Sequence, residues 1–152
     1  MTMPAVETIA EGSVTQQVSG RLVVETPGQG FTDITDATAR WVFGTGILQG
    51  LLTVFCRHTS ASLVIQENAD PDVRADLMTA FDRLAPRGTS YVHATEGPDD
   101  MPAHIRTMLT GSGLSIPVME GQMVLGTWQG LYLVEHRDRP HQRDLVFHLI
   151  GA

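Results

Sequence analysis

Lysine is absent from this 152-residue chain, and cysteine occurs once, as Cys56. Without a side-chain amine the protein cannot form a Schiff base or supply the lysine of a P-loop. A lone cysteine excludes an internal disulfide and fits a reducing compartment. No apolar run approaches the ~20 residues of a membrane span, and the N-terminal MTMPAVETIAEG lacks the basic start and hydrophobic stretch of a signal peptide. A cytoplasmic location is expected. Positive charge is also scarce: ten arginines against seventeen acids leave a net charge of −7. Nucleic-acid binding draws on cationic contacts to phosphates, so neither nucleic acid nor a membrane is an expected partner.

What is present suits one globular domain. Apolar residues make up 42% and charged residues 18%, too apolar and too weakly charged for a disordered chain. A chain of this length buries enough surface to fold without a structural metal. Residues 1–12 carry no pattern and read as a flexible leader; residues 13–152 read as a single domain.

Between Ser13 and Thr26 the scattered valines suggest one or two strands, closed by a turn at Pro27, Gly28 and Gly30. Ile34, Ala37, Trp41 and Val42 have helical spacing, with Thr32 or Asp33 as cap and Gly44 and Gly46 as the stop. Gly50–His58 and Ala61–Gln66 are rich in strand formers. Asp70-Pro71 marks a helix start, and Val73, Leu77, Ala80, Phe81 and Leu84 form its apolar stripe. A short helix is expected from near Pro102 to Gly111, followed by strands at Leu114–Val118, Gln122–Leu125, Gly130–Arg137 and Arg143–Ile150. Leu145–Ile150 is apolar on both faces, as in sandwiches, under helices or at subunit interfaces. The pattern predicts a β-rich α+β domain that oligomerises.

Six histidines are present, and three lie near polar or acidic clusters. His58 leads into Thr59-Ser60-Ala61-Ser62, His93 follows Tyr91, and His104 comes shortly after Glu96, Asp99 and Asp100. Three imidazoles with an open position are a common catalytic zinc arrangement. Spacing alone leaves two readings, a shared metal site or separate hydrogen-bonding histidines. Asp70, Asp72, Asp99 and Asp100 have an alternative role in capping helices. Glu67 and Asn68 close a strand where a loop begins, a usual place for site residues. The segment Gly126–Gly130 (GTWQG) is either a hairpin turn with Trp128 on the core or a substrate wall. Cys56, in an apolar run, reads as a buried structural thiol. His136 and His141 fall in EHRDRPHQRD, which reads as a solvated rim or subunit contact, and His148 as a core or interface histidine.

Three segments carry a resemblance: HTSASLVIQENADPDVRADL (58–77), EGPDDMPAHI (96–105), and SIPV with the following GTWQG and EHR (115–137). In this order they closely resemble the YjbQ-type family, whose members are often called secondary thiamine-phosphate synthases. The resemblance implies a β-sandwich of about seven strands with two to three helices, assembled as a homotrimer. It implies a divalent metal, zinc or else magnesium, on His58, His93 and His104, with Glu67 and Asp100 as catalytic groups. Thr59, Ser60, Asn68, Arg106, Trp128 and Gln129 would contact a small anionic substrate. Many relatives have lysine where Arg106 stands; arginine can bind an anion there but cannot act as a base. The implied reaction class is metal-dependent chemistry on a small anionic or phosphorylated metabolite, with thiamine-phosphate formation as a side activity. The alternative is a non-catalytic trimer that binds a small ligand or a protein through the same residues.

Overall fold

The computed structural model describes residues 1–88 and 90–152. Its elements in chain order are β1 (Gln16–Thr26), β2 (Gly30–Asp33), α1 (Thr35–Gly44), β3 (Gly50–Cys56), β4 (Ala61–Glu67), α2 (Pro71–Leu84), α3 (Asp100–Thr110), β5 (Gly113–Met119), β6 (Gln122–Met123), β7 (Gln129–Glu135) and β8 (His141–Gly151). The strands form two antiparallel sheets, β1-β8-β3-β5-β6 and β2-β7-β4. The α+β expectation is met, with three helices. Among the described residues there are eight strands where the resemblance implied about seven, and β2 begins at Gly30, where a turn was expected. At four residues, β2 is too short for alternation to show in the sequence.

The sheets face each other across one core. Leu52, Val54 and Cys56 of β3, Ala61 and Leu63 of β4, Leu131 and Leu133 of β7, and Leu145, Phe147 and Leu149 of β8 all lie in it. Strand alternation places these side chains on the inner faces. The small sheet has a second cover. Phe81 of α2 stacks on Phe31, which meets Tyr132 edge-on, and Arg74 donates to the Tyr132 hydroxyl at 3.2 Å. Between these layers β7 is buried on both faces from Gly130 to Glu135.

The large sheet has no such symmetry. On its outer face Leu51, Phe55 and Ile150 are exposed, with Val146 half-buried. Leu51 pairs with Ile150 and Phe55 with Val146 across β3 and β8, with the polar pair Thr53–His148 between them. The expectation that Leu145–Ile150 is covered on both sides holds only for its inner side within one chain.

The helices start for identifiable reasons. Asp70 caps α2 by accepting from the Asp72 amide at 2.9 Å, and Pro71 takes the first helical position. Asp33 accepts from the Thr35 amide at 2.9 Å one residue ahead of the α1 cap position, Ile34. Helix α3 opens at Asp100, two residues before Pro102, and stops at Gly111, where φ is 101°. No helix among the described residues is long and apolar enough to cross a membrane.

Candidate metal centre

Asp100 and His104 are four residues apart on α3, so both side chains project from one helix face. His93 reaches the same point from the loop before the helix. Its Nε2 lies 2.7 Å from Asp100 Oδ2, and His104 Nε2 lies 3.2 Å from the same oxygen. The three ligand atoms lie within 4.8 Å of one another. A tetrahedral zinc with bonds of about 2.1 Å needs its ligands about 3.4 Å apart, which this cluster approaches. Asp100 is buried, whereas the His93 and His104 side chains are 49% and 32% exposed, leaving the centre open on the imidazole side.

The charge pattern of the cluster also fits a cation. His104 Nδ1 lies 2.9 Å from the Thr59 carbonyl, which can only accept, so Nδ1 carries the proton. The lone pair of a neutral His104 is therefore on Nε2, and that nitrogen lies 3.2 Å from Asp100 Oδ2. A free imidazole lone pair and a carboxylate oxygen this close offer two donor atoms to one cation. The other Asp100 oxygen is held by Arg137, whose Nη1 donates to Oδ1 at 2.9 Å. Arg137 also donates from Nε to Asp99 at 2.8 Å and from Nη2 to the Glu96 carbonyl at 2.9 Å. Burial would raise the Asp99 carboxyl, but the hydrogen bonds from Arg137 and the Asp138 amide hold it down at about 2.

His58 does not join the three ligand atoms. Its Nε2 accepts from the Asp144 amide at 2.7 Å, so that nitrogen has no lone pair for a metal. It instead lines a cleft of about 380 Å³ together with His104, Thr59 and Thr107. His93 lines a second cleft of about 510 Å³ with Tyr91, Ala94 and Met101.

A family model described as UPF0047 protein YjbQ-like matches residues 21–152. A UPF0047 protein of Synechocystis sp. is 49% identical over 144 residues, 94% of this chain and 98% of that one. The chain belongs to the YjbQ-like family. The UPF0047 protein YjbQ of Salmonella typhimurium is 43% identical over 124 residues, covering 81% of this chain and 90% of that protein. The fold matches a YjbQ/UPF0047-family structure from Clostridium acetobutylicum with a TM-score of 0.79 at 37% identity, covering 85% and 98% of the two chains. A hypothetical protein from Aeropyrum pernix K1 matches with a TM-score of 0.82 at 29% identity, covering 89% and 99%.

In this YjbQ-like chain the remaining expected site residues fall in three places. Thr59 orients His104 through its carbonyl, whereas the Ser60 hydroxyl accepts from Arg143 at 3.0 Å. Glu67, Asn68, Trp128 and Gln129 lie at the opposite end of β4, about 20 Å away along an extended strand of seven residues. There Glu67 accepts from the Ala69 and Asp70 amides, and Gln129 accepts from the Gly126 amide at 2.8 Å, so both shape turns. Asn68 donates its backbone N–H to the Trp128 carbonyl, and Trp128 is 61% exposed rather than packed on the core. The third place corrects the expectation for Arg106 as an anion anchor. Its guanidinium is buried against α2, donating to Asp82 at 2.9 Å and to the Ala85 carbonyl at 3.2 Å.

The EHRDR segment is corrected as well. Glu135 and His136 are fully buried and Arg143 nearly so, Glu135 and Arg143 facing inward between the sheets and His136 lying on the other side, edge-on to Phe81 of α2. Arg143 pairs with Glu135, and His136 Nε2 lies 2.8 Å from Ser62 Oγ. His148 lies on the outer sheet face beside Gln17, at 2.8 Å. Arg137 is the residue that sequence reasoning missed. No local signal marks it, since its role depends on β7 delivering it to the start of α3. The pairing of Asp100 with His104 follows from the helix opening at Asp100, two residues earlier than the expected start near Pro102.

Proposed function

We propose that this protein is a metal-dependent enzyme acting on a small anionic or phosphorylated metabolite, with a divalent cation, zinc, held by His93, Asp100 and His104. The reading is supported above all by the convergence of His93, Asp100 and His104, whose ligand atoms lie within 4.8 Å of one another with the His104 tautomer set by the Thr59 carbonyl. Two imidazoles and a carboxylate suit zinc better than magnesium, and three protein ligands leave an open position, as in catalytic zinc sites. When bound, the ion would polarise a substrate oxygen or stabilise charge developing on a leaving phosphate. The protein's own part is orientation. Thr59 fixes the tautomer of His104, Arg137 holds the second oxygen of Asp100, and Asp99 keeps Arg137 in place. Thiamine-phosphate formation belongs to this reaction class, because its leaving group is a diphosphate that a divalent cation would bind.

The proposal includes assembly as a homotrimer in the cytoplasm. The exposed apolar side chains Leu51, Phe55 and Ile150 on one sheet face support a subunit contact, and a buried, unpaired Cys56 suits a reducing compartment.

Elemental analysis of protein purified without chelator tests the metal centre. About one zinc per chain is expected, removable by chelator and lost in His104→Ala without loss of assembly. A chain that binds no zinc at micromolar concentrations of the ion overturns the reading. A zinc-free chain that still binds its ligand after His93→Ala and His104→Ala would favour the non-catalytic binding module.

A further inference from the structure

His58 was expected to bind metal, and its surroundings give it a different task. It follows β3 by two residues, and the Asp144 amide of β8 donates to its Nε2 at 2.7 Å. A backbone N–H only donates, so Nε2 carries the lone pair and Nδ1 carries the proton. The sheet holds that donor in place. Asp144 pairs with Val23 of β1, its carboxylate accepts from Arg21 at 2.5 and 3.0 Å, and its carbonyl accepts from the Arg57 amide at 3.2 Å. A metal on Nδ1 would have to displace its proton while Nε2 remains an acceptor, leaving an imidazolate. Zinc does not require that ligand form here, because His93, Asp100 and His104 already supply three donors.

The Nδ1–H of His58 has no partner among the described residues, and it is not one of the buried unpartnered atoms. The ring borders the cleft of about 380 Å³ shared with His104. The other polar side chains on that cleft wall are hydroxyls, those of Thr59, Thr107 and Ser112, and among the described residues no Asp, Glu, Lys or Arg lines it. Thr59, next in the chain, is also the residue that orients His104. A wall of neutral donors beside a cation site is suited to an anionic oxygen, because the ion supplies the charge and the donors supply direction.

We propose that His58 is a fixed neutral hydrogen-bond donor which, with the hydroxyls of Thr59 and Ser112, forms a subsite for an anionic oxygen of the molecule held at the metal centre. The oxygen belongs to a phosphoryl or a carboxylate group, two sources of one chemistry. The subsite rests on the metal reading above and adds a residue that binds substrate without binding the ion. Protonation of His58 would break the Asp144 bond, so it acts as a donor and not as a general base.

The test uses the full-length, zinc-loaded chain labelled with ¹⁵N-histidine. Long-range ¹H–¹⁵N correlations should show His58 as the Nδ1–H tautomer, both with zinc and after chelation. In calorimetric titrations with inorganic phosphate and with acetate, His58→Ala should retain its zinc and lose about tenfold in affinity for the better-bound anion. His58→Asn, whose amide N–H replaces Nδ1–H, should recover to within about threefold of wild type. Preference for phosphate assigns a phosphoryl group, and preference for acetate a carboxylate. An Nε2–H tautomer, loss of zinc in His58→Ala, or unchanged anion affinity in that variant overturns the subsite while leaving the metal reading standing. A wild-type chain that takes up no zinc overturns both. Should His58→Ala fail to fold, the tautomer and the His58→Asn titration decide.

Discussion

His136 shows how one buried ring ties stability to pH. Burial, reinforced by the nearby Arg106 charge, lowers its pKa from 6.5 to about 4. The folded value lies below the unfolded one, so the stabilisation is complete above pH 6.5. It is lost as the pH falls from 6.5 towards 4, where the unfolded chain takes up a proton that the folded chain refuses. The expected loss over that window is on the order of 3 kcal/mol. Urea midpoints at pH 7, 5.5 and 4 would show it. His136→Asn should flatten the slope even though removing the ring lowers stability at every pH. Arg137 makes the complementary case at the metal centre. Replacing it with Gln should weaken zinc binding about 10–100-fold in competition with a chelator, because Asp100 loses the donor that orients it. At this scale the sequence was informative about residue types and weak on direction. Imidazoles beside acids marked His93, His104 and Asp100. The orientation of the His58 ring depends on an amide 86 residues away, which no local pattern encodes.

The secondary-structure elements were legible where a side chain near an end determines the boundary. Asp70 and Pro71 mark the start of α2, and Asp70→Ala should cost about 1 kcal/mol in chemical denaturation. That change lies at the far end of β4 from the metal centre, so zinc content should remain at the wild-type level. Helix α3 begins earlier than Pro102 suggested because proline is tolerated throughout the first turn. The early start places Asp100 on the helix, where it can share a face with His104. The acids ahead of it were readable as caps, yet Asp99 makes no side-chain cap and accepts from Arg137 and the Asp138 amide instead. Arg106 shows a similar limit. The resemblance implied an anion anchor there, whereas the side chain ties α3 to α2 through Asp82 and Ala85.

For the molecule as a whole, the sandwich leaves one broad face of the large sheet uncovered. The sequence of Leu145–Ile150 announced two apolar faces, and the chain supplies a cover for one of them. Leu51→Glu combined with Phe55→Glu should therefore shift sedimentation from an oligomer to a monomer while the core signature in circular dichroism is kept. An unchanged sedimentation coefficient would exclude this face as the contact. The other whole-molecule result concerns distance. The residues expected around one substrate divide between the two ends of β4, and strand length alone keeps Glu67 and Trp128 away from His93 and His104 within a chain.

Cys56 adds a practical consequence. The residue is 1% exposed between the sheets, its thiol donates to the Ala61 carbonyl at 3.6 Å, and burial raises its pKa. An alkylating reagent can reach that sulfur only when the layers separate, so its rate of labelling gauges how often the molecule opens. Run beside every variant named above, this gauge separates a folded protein with an empty site from one that has come apart.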